Sequence, residues 1–73
     1  MMFETIAVSS VKYGINLIDI KNLMERKHDC KISDNCIINK VTDGYVIAFN
    51  AIKNNESVSI ITVHDNSDNA YTL

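Results

Sequence analysis

Residues 17–28 carry apolar side chains at the spacing of an amphipathic helix. At about 100° per residue, one stripe collects Leu17, Ile20, Leu23, Met24 and the stem of Lys27. Asn16 precedes this stretch and suits an N-cap, and the carboxylate of Asp19 suits the positive start of a helix. The pattern therefore predicts one main helix over residues 17–28, with Ile18 as the only apolar misfit on its polar side.

The sequence pattern predicts strands in the second half of the chain. Two apolar runs, residues 35–42 and 45–53, flank the pair Asp43-Gly44, which is a strong hairpin signal because a type I′ turn needs positive φ at both central residues. A third strand is predicted over 57–64, after a turn at Asn54-Asn55. Residues 70–73 offer a fourth, short edge strand, and residues 3–9 form a strand or a short helix. We expect a single α+β domain over residues 1–73.

Counting across two-residue turns assigns the strand side chains to two faces. The expected core face, on which the helix packs, holds Cys36, Ile38, Tyr45, Ile47, Phe49, Ala51, Val58 and Ile60, with Lys40 and Thr62 at its margins. The other face should be polar if it meets water. Instead it gathers Val41, Val46, Ala48, Ile61 and Val63 near the Asp-Gly end, with Ile37 and Ile52 further along.

Three arrangements could account for this second apolar face. The N-terminal segment, with Met2, Phe3, Ile6, Val8 and Val11, could fold over it. Two copies of the chain could close sheet against sheet as a homodimer. A different protein could bind there, because contiguous exposed apolar patches mark contact sites. In the last two cases the contact residues are Val41, Val46, Ala48, Ile61 and Val63.

Size favours self-association. A chain of 73 residues buries only about 60% of the surface that its unfolded form exposes, so small domains often gain stability by pairing. Hydrophobic residues make up 47% of the chain, as in ordinary globular domains. There is neither a long apolar run for a membrane span nor a basic, apolar start for a secretory signal. We therefore expect a cytoplasmic protein, likewise without a membrane partner.

Charge gives little support to nucleic-acid binding. The net charge is −2, and the basic residues around the predicted helix alternate with acidic ones, which is typical of a solvated face. A nucleic-acid-associated regulator that uses this basic helix region stays an alternative. Frequent Asn, Lys and Ile are compatible with an AT-rich source such as a phage or mobile element.

The two cysteines and two histidines do not have the spacing of a metal site. Cys30 and Cys36 are separated by five residues, whereas structural zinc ligands come as C-x2-4-C pairs. Cys36 is also expected in the core, where a free thiol packs as a small hydrophobe. We predict no metal and no cofactor, and a small metal-binding protein that uses Cys30, Cys36, His28 and His64 is a second alternative.

No nucleophile elbow, phosphate loop or oriented Cys-His pair is recognisable, so we predict that the chain is not an enzyme. By elimination, the sequence favours a small accessory or inhibitor protein that acts by steric contact with another protein and also self-associates. The contact uses either the second apolar face or the edge strand near the C-terminus.

Overall fold

The computed structural model describes residues 4–65 and the backbone of residues 70–72. The elements in chain order are β1 (Glu4–Thr5), α1 (Ile6–Tyr13), α2 (Leu17–His28), β2 (Lys31–Val41), β3 (Gly44–Lys53), β4 (Glu56–Asp65) and β5 (Ala70–Thr72). The strands form one antiparallel sheet in the order β1-β2-β3-β4-β5. The two helices pack on this sheet, and the α+β prediction is confirmed.

The helix α2 begins and ends at the predicted residues. The Asn16 side chain accepts a hydrogen bond from the backbone N–H of Asp19 at 3.2 Å, as expected of an N-cap. At the other end, Asp29 adopts a left-handed conformation and its N–H reaches the carbonyl of Glu25. Leu17, Ile20 and Met24 are buried as predicted, whereas Leu23 is 41% exposed.

The N-terminal segment is both a strand and a helix, since β1 leads directly into α1. Ile6 is buried in the core and Ser9 is also buried, whereas Val8 and Val11 are exposed, Val11 at 86%. The idea that this segment covers the second face of the sheet is wrong for Ile6, Val8 and Val11. Met2 and Phe3 lie outside the described residues.

Polar contacts tie α1 to its neighbours. The Glu4 carboxylate accepts hydrogen bonds from Ser9 Oγ at 2.8 Å and from Lys12 Nζ at 3.0 Å, and these bonds, Lys12 first, lower the pKa of Glu4. Ser10 Oγ donates to the carbonyl of Ile6 and accepts from the N–H of Leu17. The bonds to Glu4 tie α1 to β1, and the bond between Ser10 and Leu17 ties α1 to α2.

The first hairpin differs from its prediction by one residue in the turn. Thr42 and Asp43 form the turn, and Val41 pairs with Gly44, whereas the sequence had indicated Asp43-Gly44. Thr42 and Asp43 both lack positive φ, so the type I′ argument was wrong here. The register moves by two residues, and every side chain therefore keeps its predicted face.

The second hairpin has the predicted two-residue turn. Asn54 and Asn55 have φ values of 52° and 63°, the positive values that a type I′ turn requires. Lys53 pairs with Glu56 directly across the turn, and the pairing of β3 with β4 continues without a shift to Gly44 and Asp65.

The strand β2 begins four residues earlier than predicted and contains a bulge. Ile32 pairs with Ala51 and Cys36 pairs with Phe49, so residues 33–35 stand opposite the single residue Asn50. An irregularity of this kind bends the strand and increases its twist.

The core lies between the helices and the expected core face of the sheet. Phe49, Ile47 and Cys36 are fully buried on the sheet side, and Leu17 and Met24 are buried on the helix side. Ile38, Tyr45 and Val58 pack at the margin. Thr62, which we had placed at the edge of this face, is instead fully buried.

Candidate protein-contact surface

The predicted contact residues come together on the face of the sheet that is opposite the helices. Val46 and Ala48 lie on the central strand β3, directly across from Val63 and Ile61 of β4. Val41 is at the end of β2, where it pairs with Gly44. These five residues are called the apolar patch below: Val41, Val46, Ala48, Ile61 and Val63.

The apolar patch is open within the part of the chain that the structure describes. Val41 is 43% exposed and Ile61 is 40% exposed, while the other three are half-buried by their cross-strand neighbours. Both helices supply their buried residues to the opposite face. The patch therefore has the exposure that a contact surface requires, but exposure alone does not identify what binds there.

The other end of the same face is polar. Asn50 pairs with Ser59, and Ile52 pairs with Ser57. A cavity of about 550 Å³ lies at this end of the sheet, and its lining comes from both faces and from α2. It is lined by Lys21, Lys31, Ile32, Ser33, Asp34, Asn50, Ala51, Ile52, Ser57, Val58 and Ser59. One face thus combines an apolar end with a polar, hydrogen-bonding end.

The helix α2 holds the bulge that forms one wall of this cavity. Glu25 Oε2 accepts a hydrogen bond from the backbone N–H of Ile32 at 2.8 Å, and one turn earlier Lys21 Nζ lies 3.5 Å from Asp34 Oδ1. Within the bulge, Ser33 Oγ bonds to the backbone of Asn35. The wall is therefore tied to the core layer by two side chains that are four residues apart on one helix face.

A second cavity, of about 460 Å³, lies between the start of α1 and α2. Its lining is Thr5, Ile6, Ala7, Ile18, Lys21, Asn22 and Asp34. The Lys21–Asp34 ion pair lines both cavities. No histidine or cysteine lines either cavity.

Charge is nearly absent from the second face of the three long strands. By register, Lys31 lies at one end and Asp65 at the other, and the residues between them are apolar or neutral. A face of this kind matches a partner through shape, apolar contact and hydrogen bonds, because it offers few charges for recognition.

The residues considered for metal binding are not brought together. Cys36 is fully buried in the core as predicted, and Cys30 is half-buried at the end of α2. The described residues contain no group of three or more His, Cys, Asp or Glu side chains that could hold a metal ion. Burial raises the pKa of both thiols, which disfavours the thiolate form that metals and electrophiles need.

The two thiols should react at different rates with iodoacetamide in the native protein. Cys36 is inaccessible unless the sheet opens, so we expect its alkylation to be roughly 100-fold slower than that of Cys30 if opening costs about 3 kcal/mol. A time course followed by peptide mass spectrometry measures both rates, and a Cys30→Ser variant isolates Cys36. Equal rates under native conditions would contradict the assigned burial.

The basic residues of the helix region do not form a continuous basic surface. Lys12 pairs with Glu4 and Lys21 with Asp34. The nucleic-acid alternative stays a prediction, and no contact in the described residues favours it.

Among the described helices, none is long and apolar enough to cross a membrane.

Comparison of the chain with family models, with curated proteins and with solved structures finds no match. The case for function therefore rests on the geometry of the second face. The sequence indicated its apolar residues through strand periodicity, but not the cavity beside them. The cavity depends on the bulge at residues 33–35, which has no recognisable signal in Ser-Asp-Asn.

Proposed function

We propose that this protein is a small, non-enzymatic accessory or inhibitor protein that binds another protein through the apolar patch. The observation that carries the proposal is the patch itself, five apolar residues on the sheet face away from both helices, with Val41 and Ile61 at least 40% exposed. Burying such a patch against a partner is favourable at about 25 cal/mol per Å² of apolar surface.

The partner should match both ends of the second face. Apolar side chains would lie on the patch, and hydrogen-bonding groups would meet Asn50, Ser57 and Ser59 beyond it. A sheet-against-sheet homodimer through this face stays a prediction. Binding here would act sterically, by occupying a surface that the partner needs for another contact.

The amino-acid composition supports the proposed source of this protein. The proposal places the protein in the cytoplasm, and its frequent Asn, Lys and Ile fit a phage or mobile element, where small inhibitors of host proteins are useful. We also propose that the protein self-associates, through a part of the sheet other than the apolar patch.

Val46→Asp should abolish partner binding while the fold persists. Val46 lies in the middle of the patch, and an unpaired carboxylate buried in an interface costs at least about 3 kcal/mol, or more than about 100-fold in Kd. We would immobilise wild type and variant, expose both to an extract of the source cells, and quantify the retained proteins by mass spectrometry.

Val11→Asp is the matched control for this experiment. Val11 is 86% exposed on α1, away from the patch, and the substitution is chemically identical. We expect the control to retain what wild type retains. If Val46→Asp retains the same proteins, or if Val11→Asp loses them to the same extent, the apolar patch is not the binding surface.

A further inference from the structure

The outer edge of β4 is only partly covered. β5 pairs with Thr62, Val63 and His64, whereas β4 itself extends from Glu56 to Asp65. No other described strand pairs with the outer edge of residues 57–61. Backbone N–H and C=O groups on such an edge form a template for a further strand.

The opposite edge of the sheet is better protected than the edge of β4, although β1 pairs with only two residues of β2. β1 covers β2 at Asn35 and Cys36, the bulge at residues 33–35 interrupts the strand there, and Lys40 lies within the uncovered residues 37–41. Short covering strands, bulges and lysines are the usual means of preventing edge pairing. Residues 57–61, Ser-Val-Ser-Ile-Ile, have none of these and pair with β3 without a register shift.

We propose that residues 57–61 pair in antiparallel register with the same segment of a second copy of this chain. The proposal rests on the proposed protein-binding function and identifies its self-association surface. A twofold axis through Ser59 pairs Ser59 with itself, Ser57 with Ile61 of the second copy, and Val58 with Ile60 of the second copy. Such an isologous contact uses the same patch on both subunits.

The segment is complementary to itself in three ways. Val58 and Ile60 both face the core side, by register with Ala51 and Phe49, so apolar meets apolar there. Ser59 meets Ser59 on the second face, where hydroxyl groups can bond across strands. The segment has no charged residue, so the twofold axis brings no like charges together.

The extent of the open edge also sets the register. In this pairing Glu56 lies opposite Thr62 of the second copy, and at Thr62 the edge is already occupied by β5. The paired segment therefore ends where the β5 strands begin. The two sheets become one continuous sheet, and both apolar patches face the same side, at diagonally opposite ends.

Cysteine cross-linking tests the register directly. We would make Ser59→Cys in a Cys30→Ser background and oxidise it mildly in its native state. Opposed residues in an antiparallel pair have Cα atoms about 4.5–5.5 Å apart, within disulfide reach, so we expect a covalent dimer. Asn50→Cys in the same background is the control, because Asn50 pairs with Ser59 one strand inward and shares its exposed face.

In the proposed dimer the two Asn50 positions are about 14 Å apart, three strand spacings, which is beyond disulfide reach. Dimer formation by Ser59→Cys alone supports the proposal. Equal or preferential cross-linking through Asn50→Cys would mean that two copies meet face to face, and it would overturn the edge pairing. Failure of both variants to cross-link would overturn it as well.

Sedimentation of charge variants tests the edge pairing of two copies separately from partner binding through the apolar patch. Ser59→Lys places two ammonium groups against each other at the twofold axis, so we expect it to keep the monomer mass at concentrations where wild type reaches twice that mass. Asn50→Lys should sediment like wild type, and circular dichroism confirms that both are folded. A monomeric wild type, or a dimeric Ser59→Lys, would refute edge pairing. Val46→Asp should still dimerise. Partner capture therefore reports on the apolar patch, and sedimentation reports on the pairing of residues 57–61.

Discussion

Phe49→Ala is expected to lower the free energy of unfolding by about 3–5 kcal/mol. Phe49 is fully buried on the central strand, between Cys36 of β2 and Ile60 of β4. Truncation leaves a cavity in the middle of the core, which the paired strands on either side cannot fill. A chain of 73 residues has a total stability of roughly 4–11 kcal/mol, so this one change removes a large part of it.

Urea unfolding followed by circular dichroism measures this effect. Ile52→Ala is the control, because Ile52 lies on the same strand with half of its surface exposed and should cost about 1 kcal/mol or less. If the two truncations were equally costly, Phe49 would not be the centre of the core. A Phe49→Leu variant, which refills most of the volume, should recover part of the loss and keep the comparison measurable if the alanine variant unfolds.

Gly44→Ala is expected to destabilise the protein by about 1–3 kcal/mol or more, although alanine is the smallest possible addition. A Cβ at this position would lie 2.1 Å from the carbonyl oxygen of His64 and 2.9 Å from the Cα of Asp65. Both atoms are backbone, so no flexible side chain can move aside. Relief requires separation of β3 from β4 at the pair Gly44–Asp65, next to the first turn.

Gly14 provides the control, because glycine is favoured there by the backbone conformation and not by close neighbouring atoms. Nothing lies within 4 Å of a Cβ built there, but its φ is +66°. Gly14→Asn should therefore be nearly neutral, since asparagine tolerates the left-handed conformation. Thermal unfolding of both variants tests the distinction. A Gly44→Ala protein as stable as wild type would mean that the strands are not in close contact at this pair.

Local sequence signals were sufficient for most of the fold. The helix over residues 17–28 followed from apolar periodicity and the Asn16 cap, both of which act within a few residues. The strand faces followed from alternation, which survived a wrong turn at Asp43-Gly44 because the error moved the register by an even number of residues. Glycine is needed at position 44 because β4 approaches closely there, not because of the turn conformation. That approach is a tertiary contact, which local sequence does not reveal.

What the sequence did not predict depends on contacts between distant residues. The early start of β2 and its bulge are held by Glu25 and Lys21 from α2, and no local propensity encodes those bonds. A short helix was only one of two options for residues 3–9, since Ile6 and Val8 alternate with Thr5 and Ala7 as they would in a strand. The apolar patch was visible as a pattern, but its exposure could be judged only when α1 was found on the core side.

The order of the strands has a consequence for how the chain folds. Every long strand pairs with the next one along the chain, and two-residue turns join β2 to β3 and β3 to β4, so these pairings close short loops at little entropic cost. Contacts that are close in sequence favour rapid folding. The chain also contains no proline, and thus no slow X-Pro isomerisation delays it. The edges along which the long strands pair are therefore unpaired only briefly during folding.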